Sequence, residues 1–309
     1  NLVRATGANV ANYLIGLGTV ANNNYDITLL VDNFAITKRP IIITADSNQH
    51  KTYGDADPAR FTFTVEALGA SRGLIANDQT IPNNQMSAFT GILQRAIGEN
   101  AGSYAINQGT VANPNYEIAY VSKDFVVNKA QLRASGTMEY SGQIDFASAN
   151  LTVTGVTING VTETLTATGV ATMATKNVQV NQAPLSNAGL TIQNKTVGGR
   201  TFLASNYEDL AEADTSLTVT RKLVTLTAPV LTKTYDGGYN YNMTAADLNN
   251  MSAQTELNGD LKLVGGDRVS SATVAFADKD AGINKVVNLS AVTIDDGNGG
   301  LNYNLSLDN

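Results

Sequence analysis

The sequence predicts a mainly β fold: tandem small β-rich repeats of about 90 residues, β-sandwich or β-grasp-like, forming an elongated rod. Three observations carry this prediction. A shift of 91 positions lays residues 2–38 on residues 93–129 without a gap, with 17 of the 37 pairs identical. Several short runs alternate apolar and polar residues with period two and are rich in β-branched side chains, the pattern of half-buried strands. Thr and Asn number 35 and 34 among 309 residues and charged residues are only 15%, which suits β surfaces that hydrate well, while 43% hydrophobic residues suffice for real cores.

The repeat sets the organisation. Arg4 falls on Arg95, Tyr13 on Tyr104, Gly18 on Gly109, Tyr25 on Tyr116, Phe34 on Phe125 and Lys38 on Lys129. The same step takes Asn115-Tyr116 to Asn206-Tyr207, and twice the step takes Lys51-Thr52-Tyr53 to Lys233-Thr234-Tyr235. Boundaries after each terminal strand divide the chain into 1–38, 39–129, 130–222 and 223–309. The first piece matches only the C-terminal part of a repeat, so the chain is expected to begin inside one and to come from something longer. Each repeat is expected to bury its own core.

The elements follow in order. Ile27, Leu29 and Val31 alternate with polar neighbours, as do Phe61, Phe63 and Val65, and later Leu217 and Val219. The junction Ile36-Thr37-Lys38-Arg39-Pro40 is short and carries no Gly/Ser run, so successive repeats are expected to be joined semi-rigidly. Residues Ser71 to Ile75 suggest one helical turn. Asn159-Gly160 between two β-branched runs predicts a two-residue hairpin, because both central positions need positive φ. Gly199 and Gly237-Gly238 mark further turns, and Thr244 is placed to cap a short helix over Ala245 to Asn250.

Lys51-Thr52-Tyr53-Gly54-Asp55 and Lys233-Thr234-Tyr235-Asp236-Gly237 resemble the signatures of the MBG and YDG repeats of bacterial surface proteins. Asn100-Ala101-Gly102-Ser103-Tyr104 and Asp280-Ala281-Gly282-Ile283 resemble the Asp/Asn-Ala-Gly segment of such repeats, and Asn115-Tyr116 and Asn302-Tyr303 their closing strand. Residues 130–222 depart from the pattern, with Tyr140-Ser141-Gly142 where the triplet belongs. The resemblance implies a filamentous haemagglutinin-like adhesin of the two-partner secretion type or a biofilm matrix protein, secreted or held at the outer membrane. It also implies an outer-membrane transporter as the export partner.

Composition excludes much chemistry. The absence of Cys and Trp and the single His rule out a disulfide framework, a thiol nucleophile and a Cys-containing zinc site. A net charge of −7 without Lys/Arg clusters argues against nucleic acid, and the apolar runs are too short for membrane insertion. His50 reads as a solvated loop histidine and no enzyme activity is expected. The carboxylates Asp278, Asp280, Asp295 and Asp296 fall in turn-like sequence, where a glycosidase cleft is not expected. Asp295, Asp296 and Asn298 are the candidate calcium ligands, competing with a plain acidic turn; no other cofactor is indicated. Tyr235, Tyr239 and Tyr241 are the candidate ligand-binding cluster. The expected role is therefore structural, a stalk that extends a distant binding tip or spans a matrix. The alternative is a module that itself binds carbohydrate such as matrix polysaccharide, a host surface protein or another adhesin copy.

Overall fold

The 91-residue register reappears in the backbone of the computed structural model, which describes residues 1–78, 88–254 and 262–308. The chain divides into two units, Asn1–Ala130 and Gln131–Asn309. The first carries β1 (Val3–Arg4), β2 (Ala11–Gly16), β3 (Asn33–Ile36), β4 (Arg39–Ala45), β5 (His50–Thr52), β6 (Phe63–Val65), β7 (Gln94–Arg95), β8 (Gly102–Asn107), β9 (Tyr116–Val121) and β10 (Lys123–Asn128). Val3 pairs with Gly16 and Ala11 with Ile36 in the early sheet. Gln94 pairs with Asn107 and Gly102 with Val127 in the later one, every partner displaced by 91.

Two sheets build the rest of this unit, in the orders β6-β4-β9 and β5-β10-β8-β7. β9 and β10 are separated by the single residue Ser122, whose hydroxyl donates to the Ile106 carbonyl. β9 thus lies parallel to β4 in one sheet, and β10 lies parallel to β5 in the other. The alternation seen in sequence is the burial pattern: Ile41, Ile43 and Ala45 of β4 and Phe125 and Val127 of β10 are buried while their neighbours are not.

The second unit contains β11 (Arg133–Glu139), β12 (Asp145–Ala147), β13 (Leu151–Ile158), β14 (Val161–Thr172), β15 (Gln179–Gln182), β16 (Leu190–Gln193), β17 (Lys195–Val197), β18 (Arg200–Phe202), β19 (Thr215–Thr220), β20 (Lys222–Thr227), β21 (Asn240–Tyr241), α1 (Ala245–Gln254), β22 (Arg268–Phe276), β23 (Val287–Asp295) and β24 (Tyr303–Asp308). The large sheet runs β12-β14-β13-β11-β19-β15, with β16 also on β14. β20 pairs in parallel with β24, and β21-β22-β23 form a separate antiparallel sheet. Asn159 and Gly160 join β13 to β14 with φ of 53° and 77°, the hairpin turn predicted from the dipeptide.

Three expectations are corrected here. Ile27, Leu29 and Val31 lie in no strand; the strand of that region is β3, Asn33–Ile36. Ser71 to Ile75 form no helical turn; the 3-10 turn in that region is Ala76–Asp78. Separate cores are not what the second unit has: one buried cluster runs from Tyr140, Phe146, Met173, Leu217 and Val219 to Val224, Met251, Val274, Leu289 and Tyr303. Residues on both sides of position 222 therefore share one interior, with the Tyr140 and Tyr303 rings meeting edge to face at 5.4 Å. The predicted cap at Thr244 is present: its hydroxyl accepts the Asp247 N–H, and the Asp247 carboxylate accepts the Thr244 N–H. The helix runs beyond Asn250 to Gln254. Among the described residues no helix is long and apolar enough to cross a membrane.

Candidate functional site

The Asn-Tyr dipeptides form the most regular feature of the chain. Tyr116, Tyr207 and Tyr303 are all buried, and each hydroxyl bridges a carboxylate and a backbone amide. Tyr116 donates to Asp78 at 2.6 Å and accepts from the Ile75 N–H at 3.3 Å. Tyr207 donates to Glu163 at 2.7 Å and accepts from Val156 N–H at 3.2 Å. Tyr303 donates to Asp267 at 2.6 Å and accepts from Val264 N–H at 2.8 Å. Burial, reinforced by the carboxylate partners, pushes the Tyr116 and Tyr303 hydroxyls well above the ordinary tyrosine range. They remain neutral donors at any physiological pH.

The residue before the tyrosine points elsewhere. The Asn115 side-chain oxygen accepts from the Val10 N–H at 2.9 Å, across 105 positions. Asn302 is fully buried; its oxygen accepts from Val178 N–H at 2.9 Å and its amide donates to Asn177 at 3.1 Å. One dipeptide therefore ties a tyrosine into its own segment and an asparagine into the segment before it. The backbone completes the joint, since the Asn115 and Asn302 carbonyls accept from the first amides of β4 and β20, Arg39 and Lys222.

A second cluster lies beside the Tyr53-Gly54-Asp55 turn. Lys51 and Arg95 have side chains only 5% and 7% exposed, and both bind Asp57 and Glu99 at 2.5 to 2.8 Å. Arg95 also lies against the Tyr104 and Phe125 rings, 5.1 and 5.4 Å from their centroids. Arg4 repeats this stacking against Tyr13 and Phe34 at 4.9 and 5.3 Å, in register with the 91-residue shift. The Arg95 guanidinium lowers the Asp57 carboxyl, and Lys51 lowers that of Glu99. Balanced charge with every cation paired makes this a clamp at the root of the turn rather than a reactive centre.

The residues singled out in sequence are distributed as follows. Asp296 is 1% exposed, and its carboxylate accepts the N–H groups of Asn298, Gly300 and Asn302 at 2.7 to 3.1 Å. Burial raises its pKa, but these three donors outweigh that and hold it below the usual carboxylate range. Asp295 faces Arg268 at 2.8 Å, and the Asn298 amide donates to Asn302. Both carboxylates thus meet hydrogen-bond donors, and among the described residues no three acidic or histidine side chains converge for a metal. His50 is exposed and bonds the Asn48 carbonyl, while Asp278 pairs with Lys285.

The three tyrosines of the candidate cluster part company. Tyr241 lies edge-on to Phe276 and donates to Asp247, whereas Tyr235 and Tyr239 are 64% and 57% exposed. Tyr235 lines a cleft of about 600 Å³ between residues 228–238 and 276–287. Sequence reasoning did not identify Asp78, Glu163 and Asp267, since two follow their amide partner by three residues and one by seven, so no common spacing marks them.

Residues 41–126 match the family of the MBG domain (YGX type), and residues 220–309 match the YDG domain family. Both are families of repeat or binding domains rather than of enzymes. Neither a curated protein nor a solved structure matches the chain.

Proposed function

The chain carries an MBG domain and a YDG domain, and we propose that it is a length of structural stalk from a large secreted bacterial surface adhesin. Its task is mechanical, holding a distant binding tip away from the cell or spanning a biofilm matrix. The observation that carries this reading is the double anchorage of Asn115-Tyr116 and Asn302-Tyr303, which couples each segment to the one before it. A stalk must transmit tension without local slack, and a joint of buried hydrogen bonds and paired strands serves that end better than a flexible linker. The parallel pairs β4·β9 and β20·β24 put the strand that opens each domain beside the one that closes it, so their hydrogen bonds resist pulling together. Export through an outer-membrane transporter, a cell-surface location and contact with matrix polysaccharide, host surface or further adhesin copies belong to the same proposal.

Solution scattering on the chain tests it. A rod near 100 Å long is expected, on the order of 30 Å per repeat from strands of 6 to 10 residues. A profile that fits one sphere overturns the stalk reading.

A further inference from the structure

The two faces of the sheet β12-β14-β13-β11-β19-β15 differ in chemistry. Ala134, Val153, Leu165 and Leu217 face the interior and are buried. Arg133, Ser135, Thr154 and Ser216 are their neighbours along the strands and so face outward, with Arg133 opposite Thr154 and Ser135 opposite Ser216. These four line a pocket of about 440 Å³ together with Asn181 and Asp214. Arg133 and Asp214 carry opposite charges, yet neither side chain meets the other or bonds any other described residue. Elsewhere Arg95, Lys222, Arg268 and Lys285 each hold a carboxylate. A guanidinium and a carboxylate that share a pocket without meeting leave room between them for a third group.

Both walls of the pocket are held from behind. Asp214 closes the 3-10 turn Glu212–Asp214, and buried Asn187 pins that turn. The Asn187 N–H donates to Glu212 at 3.1 Å, and its side-chain amide donates to the Leu210 carbonyl at 3.2 Å and the Thr215 hydroxyl at 2.8 Å. On the other wall, Asn181 sits where the register of β15 on β19 shifts between Gln179 and Gln182, with φ of 51°. A bulge of this kind re-aims a side chain off its strand. The Asn181 amide oxygen accepts the Ser216 and Thr218 hydroxyls at 3.3 and 3.4 Å, which fixes which end of the amide is the oxygen. Its N–H groups and the Ser135 hydroxyl have no partner among the described residues. The pocket thus combines a free cation, a free carboxylate and unspent neutral donors on rigid supports.

We propose that this pocket binds a hexuronate unit of an acidic polysaccharide. The planar fork of Arg133 takes the sugar carboxylate through paired charge-assisted hydrogen bonds. Asp214 accepts from ring hydroxyls, and the Asn181 amide and the Ser135 hydroxyl serve the remaining ones. A ring hydroxyl donates and accepts at once, which suits a pocket whose two charges are accompanied by neutral hydroxyl and amide groups. A neutral sugar leaves the guanidinium without an anion, and a simple anion leaves Asp214 without a donor. Among the described residues no aromatic ring lines the pocket, so charge and hydrogen bonds, not stacking, carry the affinity. The site deepens the contact with matrix polysaccharide proposed above and rests on that reading for the source of its ligand. A rod whose pocket is inert overturns the site and leaves the stalk in place.

The test is calorimetric titration of the full 309-residue chain with an oligogalacturonate, against a maltooligosaccharide of the same length, with hydrogen exchange to map the contact. Saturable binding of the uronate alone is expected, weakening as salt is raised, with amide exchange slowed in residues 181–183 and 213–216. Arg133→Gln is expected to weaken it roughly tenfold or more, the loss of one charge-assisted pair. Ser135→Asp, which sets a carboxylate beside the guanidinium, is expected to weaken it as much by a second route. Thermal melting of both variants is expected to match the parent chain, since neither side chain bonds a described residue. Absence of binding, equal affinity for the neutral oligosaccharide, undiminished binding by either folded variant, or exchange changes confined to other residues each overturn the proposal.

Discussion

Tyr140 and Tyr303, 163 positions apart in the chain, both donate to the same oxygen of Asp267, at 3.0 and 2.6 Å, while their rings meet edge to face. Lys176 reaches the other Asp267 oxygen at 3.5 Å and lies over the Tyr140 ring. The tyrosine of one triplet and the closing tyrosine of the next segment thereby share a single buried acceptor. This makes the second unit one cooperative body.

Chemical denaturation of residues 131–309 is therefore expected to follow one transition, coincident by tyrosine fluorescence and far-UV circular dichroism. Two separated transitions would show that the shared interior does not couple the segments.

Tyr303→Phe keeps the ring and removes the hydroxyl, leaving the Val264 N–H and one Asp267 lone pair without this partner. The expected loss is about 1–3 kcal/mol. For a unit of this size that lowers Tm by roughly 2–4 °C per kcal/mol, readable by calorimetry. An unchanged Tm would mean that the bridge is not formed in solution.

The Lys51, Asp57, Arg95 and Glu99 cluster is expected to make the first unit acid-sensitive. Asp57 and Glu99 have folded pKa values below their unfolded ones, through Arg95 and Lys51 respectively. Their contribution is fully present above the unfolded carboxylate pKa and disappears as pH falls through the lowered folded values. A urea midpoint that declines as the pH falls below about 4, and declines less in Arg95→Leu, is expected. A midpoint flat over that range would dissociate the clamp from stability.

Asp296→Ala removes the acceptor of three backbone amides in a buried turn. About 2–4 kcal/mol of destabilisation is expected without any added calcium. The measurement is the urea midpoint with and without a chelator: the wild-type chain should be insensitive to the chelator, and a calcium-dependent gain would instead assign the turn to the cation.

Thr244→Ala deletes the helix cap and the Asp247 exchange with it. A loss of about 1 kcal/mol is expected, with Thr244→Asp restoring most of it. Equal stability of the Ala and Asp variants would remove the cap from the account.

Much of the fold was legible. Strand alternation read from Phe63, Val65, Leu217 and Val219 matches β6 and β19, because period two is a local property of a pleated chain. The 91-residue shift, found by identity alone, recurs as a shift of strand register, because similar local sequence makes the same cross-strand choices. The Tyr53 turn was readable too, with Gly54 at φ 94° beneath a buried ring. Tyr235 follows the same Lys-Thr pair yet stands exposed, because the burial of a ring depends on what packs over it and not on its neighbours in sequence. Tyr241 turns inward to Phe276 and Asp247, a partnership that depends on where β22 and α1 meet and leaves no local mark.

The sequence by itself determined the β class, the repeat and its register, the turn chemistry at Asn159-Gly160 and the capping residue Thr244, all properties of a few neighbouring residues. Only the tertiary structure decided that Asn115 and Asn302 reach back across more than 100 positions, that Tyr140 and Tyr303 share Asp267, and that Tyr235 borders an open cleft. The reason is physical: a buried polar side chain takes whichever partner the closed core brings to it, and strand order, not spacing in sequence, chooses that partner.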